Sequence, residues 1–314
     1  MNHSHLSGRD YASALCVVLI WGTNFIAMKY ALRELTPFQL GAGRYLFAVL
    51  PLILVVRPPR LAWKWVVLYG LFQGVGQFGL LFLSLKIGMS AALASVLLQT
   101  QVFFTAIFGF ALLGERASRA LLAGLALAAC GLACFGLNYL APGAAAGGTT
   151  VAGFGLCLAA AAMWAASTIV VRRAQRATPQ FDVTAFMVWS SLVPIVPFVL
   201  LSLAFDAPAT RWSWTGAQSS TWLSLAYLGW FATILAYAMW TGLLKRHAVN
   251  RVAPFSLAVP LVGITAGMVV LGDTISGWQW AGIALIVASL VLVMFGNRWL
   301  KGVKINQGQG RGSN

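Results

Sequence analysis

Uncharged apolar runs of about twenty residues, separated by short polar or basic clusters, occupy nearly the whole chain. A helix needs roughly 20 apolar residues to cross bilayer hydrocarbon. The pattern therefore predicts an all-α integral membrane protein of about ten spans, at residues 11–32, 38–57, 63–86, 90–113, 117–138, 152–173, 181–205, 218–245, 250–271 and 277–297. Pro51 in span two, Pro194 and Pro197 in span seven, and Pro254 and Pro260 in span nine should kink their helices. Proline has no N–H to donate, and its ring crowds the preceding turn. Residues 138–150, carrying Pro142, Gly143, Gly147 and Gly148, form the one clear linker. The expected organisation is an N-terminal segment 1–10, a five-helix repeat 11–138, the linker 139–151, a second five-helix repeat 152–297 and a tail 298–314.

The two halves echo each other. Leu113-Gly114-Glu115, with Gly124 nine residues on, recurs as Leu271-Gly272-Asp273 with Gly282, at an offset of 158 residues. Ala123 and Ala126 map onto Ala281 and Ala284 at the same offset. Trp21 and Asn24 in span one correspond to Trp164 and Ser167 in span six, Lys29 meets Arg172, and Lys86 meets Lys245. Each match is weak alone, and their shared order along both halves gives them force. Because each half has an odd number of spans, the second must enter the membrane upside down. Inverted repeats of this kind suggest a transporter, with a solute site between two halves that rock against each other.

Composition narrows the solvent and the partners. With 60% hydrophobic and 9% charged residues and a mean hydropathy of +0.83, a soluble chain of this length could not cover its surface with polar groups. The net charge of +15 taken alone suggests nucleic acid, but the basic residues sit in clusters between apolar runs, which is a topology signal. With a cytoplasmic N-terminus, sixteen of the 21 Lys and Arg fall on the cytoplasmic side and four (Lys29, Arg33, Lys86 and Arg211) fall outside. Arg44 is left within a span. Both termini are therefore expected in the cytoplasm. The leading residues lack a strongly basic start and an evident cleavage site, so the first run reads as a retained helix.

Candidate chemistry is sparse in charge and rich in neutral polar groups. Asp10, Glu34, Glu115, Asp182, Asp206 and Asp273 all fall at predicted helix ends or in loops, which disfavours a proton-for-cation antiport through a buried carboxylate. Glu115 and Asp273 are expected to accept backbone N–H groups or to complement the positive end of the next helix. Two roles fit Arg44: holding a solute carboxylate, or snorkelling outward to the interface. Tyr69, Gln73 and Gln77 recur every four residues on one helical stripe, and lipid would leave their polar groups unsatisfied. Gln99, Gln101, Trp21, Asn24, Trp164, Ser167, Thr233, Tyr237, Trp240 and Thr241 extend that set. Such groups suit either the two charged ends of a zwitterion or hydrogen bonds between helices. Gly70 with Gly74 and Gly263 with Gly267 have the spacing of close helix packing. The cysteines and histidines show no metal-ligand spacing, and no span holds a His, Asp or Glu near its middle. An intramembrane enzyme is disfavoured on that ground.

Trp21-Gly22-Thr23-Asn24-Phe25, Arg44-Tyr45, Gly114-Glu115-Arg116 and Arg251-Val252-Ala253-Pro254 resemble the EamA family of the drug/metabolite transporter superfamily. The likeness runs from about Tyr11 to Trp299. Tyr69-Gly70, Gly76-Gln77-Phe78, the run Leu97-Leu98-Gln99-Thr100-Gln101 and Trp189-Ser190 look most like bacterial inner-membrane amino-acid exporters of the O-acetylserine/cysteine or YddG aromatic amino-acid type. The resemblance implies a ten-helix bundle around a central cavity that exports amino acids or related metabolites by alternating access; no cofactor and no nucleic-acid partner is expected. It is specific for fold and weak for solute. A facilitator for a nucleoside or organic cation, and a non-transporting receptor, remain as alternatives. Oligomeric state is not readable, since lipid-facing and partner-facing apolar surfaces look alike.

Overall fold

The computed structural model describes residues 6–115, 118–140, 149–247 and 249–309. Residues 141–148 of the expected linker, and Arg116, lie outside the described residues. The described elements are helical: α1 (Gly8–Ala31), α2 (Pro37–Val49), α3 (Trp63–Tyr69), α4 (Gly79–Lys86), α5 (Ala91–Leu97), α6 (Gln101–Leu113), α7 (Arg119–Asn138), α8 (Val151–Ala177), α9 (Val183–Ser190), α10 (Ile195–Phe205), α11 (Ser219–Ala226), α12 (Ala236–Arg246), α13 (Val249–Ser256), α14 (Ala258–Leu271) and α15 (Gly277–Gln309). Among the described residues, nine helical stretches are long and apolar enough to cross a membrane. Exposed Phe110, Phe205 and Val269 show what such helices present to lipid.

The expected second span, 38–57, is shorter than predicted. Its helix begins with a capping box, in which Thr36 accepts from the Gln39 N–H and Gln39 accepts from the Thr36 N–H, with Pro37 in the first turn. It ends at Val49 because Pro51 forces Leu50 into an extended conformation (ψ 134°). Spans seven and nine are interrupted, between α9 and α10, where Pro194 sits, and between α13 and α14, while Pro197, Pro254 and Pro260 lie inside α10, α13 and α14.

Besides the 3-10 turn Leu98–Thr100 between α5 and α6, two π-helical interruptions carry no signal in the apolar pattern. Gly70–Phe78 joins α3 to α4 as a π-helix, and Tyr227–Leu235 joins α11 to α12 in the same way. In the second, the Thr233 hydroxyl donates to the Leu228 carbonyl five residues back. The first carries Gly70 and Gly74, where side chains would run into Ser190, Val193 and Pro194 at the break between α9 and α10. The widened helix and the broken one thus fit each other.

The Gly-acid echo has a local cause. Gly114 and Gly272 adopt φ of 66° and 70°, a left-handed conformation that glycine takes without penalty. The following N–H groups of Glu115 and Asp273 donate to the carbonyls of Gly109 and Gly267, six residues back, at 3.2 and 3.1 Å. Both helices thus end on a left-handed glycine whose following N–H reaches back to a carbonyl of the last turns. The Asp273 carboxylate also accepts the Ala92 N–H at 3.0 Å, so it complements the start of α5 rather than the next helix.

Contacts divide the chain into two compact units, one of residues 1–105 and 148–274 and the other of 106–147 and 275–314. In the smaller, α7 and α15 approach closely: a Cβ on Gly131 would lie 3.0 Å from the Gly282 oxygen, and one on Gly282 2.9 Å from the Gly131 oxygen. Ser276 donates to Asn138 at 2.5 Å beside them. The larger unit buries clusters such as Val66, Tyr69, Val170 and Phe186, or Val17, Ile20, Ala232 and Ala236.

Candidate functional site

Within the larger unit lies a cavity of about 500 Å³, inside the range of small-molecule sites. Of the polar residues singled out from sequence, all but Thr233 and Thr241 line it. Trp21 and Asn24 come from α1, Arg44 from α2, Tyr69 from α3, and Gln73 and Gln77 from the first π-helix. Gln99 lies in the short link before α6, Gln101 opens α6, Trp164 and Ser167 belong to α8, and Tyr237 and Trp240 to α12.

Arg44 sets the electrostatics. It is 2% exposed, so its guanidinium does not snorkel to the surface. It lies over the Phe78 ring at 3.9 Å, and its Nε and Nη1 make no hydrogen bond. Among the described lining residues it is the only charged one. A smaller recess that Arg44 shares with Tyr45, Tyr69, Gln73, Ser190 and Tyr237 adjoins this wall. A buried cation facing aromatic rings and no carboxylate is stabilised only in part, and an anionic group in the cavity would complete its surroundings.

The neutral polar groups both bind helices together and face the cavity. Ser167 donates to Gln73 Oε1 at 2.5 Å, and Gln73 donates in turn to Gln77 Oε1. Thr105 donates to Gln101 at 3.3 Å, and Gln99 to the Ser256 carbonyl at 3.5 Å. Asn24 donates through Nδ2 to the Trp21 carbonyl, and its Oδ1 is buried without a partner. Trp21 donates to the Ala232 carbonyl at 3.1 Å and meets the rings of Tyr237 and Trp240 at 5.1 and 5.5 Å. One wall is thus aromatic and another amide-rich.

Several lining residues escaped the sequence reading. Phe25, Met28, Leu81 and Val259 are apolar residues in apolar runs and carry no signal of their own; Ser95, Thr168 and Ser256 are single hydroxyls among such runs. Met28, Leu81 and Ser95 are fully buried, whereas Val171, Trp240 and Leu244, toward the far ends of α8 and α12, are part-exposed. The buried end lies near the turn from α1 to α2, which is tied down by side chains. Glu34 accepts from Thr221 at 2.5 Å and from the Gln218 N–H at 2.9 Å. Thr36 donates to Asp206 at 2.7 Å, and Gln39 donates to the carbonyls of Thr210 and Arg211. Lys29 and Lys86 donate reciprocally to the carbonyls of Leu85 and Leu32.

The sequence model of the EamA-like transporter family matches residues 10–137 and again residues 151–295. The chain belongs to this family. EamA-like membership makes it a transporter and not an enzyme. It is 40% identical over 294 residues, 93% of this chain and 97% of the other, to a Salmonella typhimurium protein named a probable amino-acid metabolite efflux pump. An Escherichia coli K12 protein of the same name is 38% identical over 302 residues, 96% of this chain and 99% of its own. A solved crystal structure at 22% identity, covering 93% of this chain and 98% of its own, superposes with a TM-score of 0.60. That likeness shows a shared fold.

Proposed function

We propose that this EamA-like transporter exports amino acids and related small metabolites across the bacterial inner membrane, with both termini cytoplasmic. The observation that carries the solute class is Arg44, a buried cation with two nitrogens unbonded on the wall of a cavity of fitting size. A carboxylate there gains charge-assisted hydrogen bonds, while the Trp21, Tyr237 and Trp240 rings and the Gln73–Gln77 pair receive the rest of a small zwitterion. The names of the Salmonella and Escherichia relatives support the same class. An organic cation fits less well, because it would meet Arg44 and no acid among the described lining residues.

The same reading includes alternating access by two inverted halves. The positive-inside distribution assigns the tied α1–α2 turn to the outer face. The cavity is then sealed outside by the Glu34, Thr36–Asp206 and Gln39 links and opens toward the cytoplasm beside Val171 and Leu244. Release outward requires those links to part.

Proteoliposomes loaded with a panel of labelled amino acids test the proposal. Saturable efflux of at least one, suppressed weakly or not at all by nucleosides and organic cations, is expected. Absence of efflux for every amino acid, or preferential movement of a nucleoside or cation, overturns it. Tight binding without flux would favour a receptor.

A further inference from the structure

We infer that Asn24 is a specificity-determining residue that requires the solute to carry a free ammonium group. The inference rests on the proposed carriage of amino acids and deepens it. Arg44 accounts for a carboxylate, but a carboxylate alone does not distinguish an amino acid from the many other organic acids of a cell. A second group of opposite sense is needed on the same cavity.

Asn24 supplies it. The residue is 8% exposed and lines the cavity. Its Nδ2 faces the Trp21 carbonyl, which fixes the orientation of the amide, since an oxygen turned to that carbonyl would be repelled. The Oδ1 is left as the acceptor, and it is buried with no donor. A buried acceptor without a donor is unfavourable, and a solute N–H removes the deficit. Of the described lining residues, Arg44 and Asn24 hold buried polar atoms without hydrogen-bond partners, one a donor and one an acceptor. They are complementary to the two ends of an α-amino acid.

The ring system reinforces the assignment. Trp21, one turn before Asn24, contacts Tyr237 and Trp240, and Tyr237 shares the smaller recess with Arg44. Aromatic rings on the same cavity favour a cation without the net charge that an aspartate would bring. The site thereby distinguishes a zwitterion from a carboxylate lacking its amine, and it does so with neutral groups only.

The experiment uses uptake of labelled L-leucine and L-phenylalanine into proteoliposomes of the full chain, competed by the same amino acids or by their deaminated counterparts, isocaproate and hydrocinnamate. Wild-type protein should bind the deaminated acids at least about tenfold more weakly, the effect of one charge-assisted hydrogen bond. In Asn24→Leu the ratio should fall to within about threefold, mainly through weaker binding of the amino acid. Asn24→Asp, which keeps the acceptor, should preserve the preference and serves if Asn24→Leu does not fold. A wild type that does not discriminate, or an Asn24→Leu ratio unchanged from wild type, overturns the inference while leaving amino-acid export standing. A wild type that moves no amino acid at all overturns both.

Discussion

Arg44 shows what depth along a run can and cannot reveal. Its position within span two made it conspicuous, yet a guanidinium one or two turns from an interface has enough reach to snorkel, and only packing shows that it is enclosed. The amides were more readable, because Gln73, Gln77 and Asn24 cannot face hydrocarbon unpaired. Their partners were not, since Ser167 lies 94 residues from Gln73. A buried cation without a paired acid burdens the fold, so Arg44→Met, similar in length and apolar, should leave thermal stability unchanged or raise it. Thermal unfolding in detergent checks this, and a large loss of stability would mean that Arg44 is structural. The Gly-acid motif makes a second prediction. Gly272→Ala places a Cβ at φ 70° and should cost about 1 kcal/mol or more; an unchanged melt would contradict the left-handed helix end.

Helix existence was largely written in the apolar runs, whereas helix continuity was not. The stop at Val49 follows from Pro51, where the sequence led to an expected kink and a span through residue 57; the π-helices Gly70–Phe78 and Tyr227–Leu235 could not be read, because an extra residue in a turn leaves the apolar pattern nearly unaltered. The links at the α1–α2 turn also join side chains far apart in sequence. Glu34 illustrates their chemistry: the Thr221 hydroxyl, then the Gln218 N–H, hold its carboxyl below the usual carboxylate value. A group depressed in this way stabilises the closed turn when ionised, above its unfolded pKa, and that contribution is lost as pH falls through the lowered folded value. Glu34→Gln should therefore melt earlier than wild type at neutral pH, with the gap closing on acidification. It should also raise labelling of Ser95→Cys by an impermeant thiol reagent added outside. A gap that widens toward low pH would contradict the assignment.

Duplication was visible in the sequence, through matched residues in the same order at offsets of 143 and then 158 or 159, and the family model falls on the chain twice, over 10–137 and 151–295. The compact units were not visible, because each takes helices from both sequence halves and no local pattern reports which distant helices pack. Inversion makes a topological prediction: tags at the two termini should be protected together in right-side-out vesicles, while Thr149→Cys should react from outside. Reactivity of Thr149→Cys only from the cytoplasmic side would refute it. The central claim is that one cavity, charged by Arg44, carries amino acids outward. Its most direct test is saturable amino-acid efflux from proteoliposomes, measured side by side for wild type and Arg44→Met at equal incorporation. The account predicts flux in the wild type and a loss of about tenfold or more in the variant although it folds; equal flux in both would contradict it.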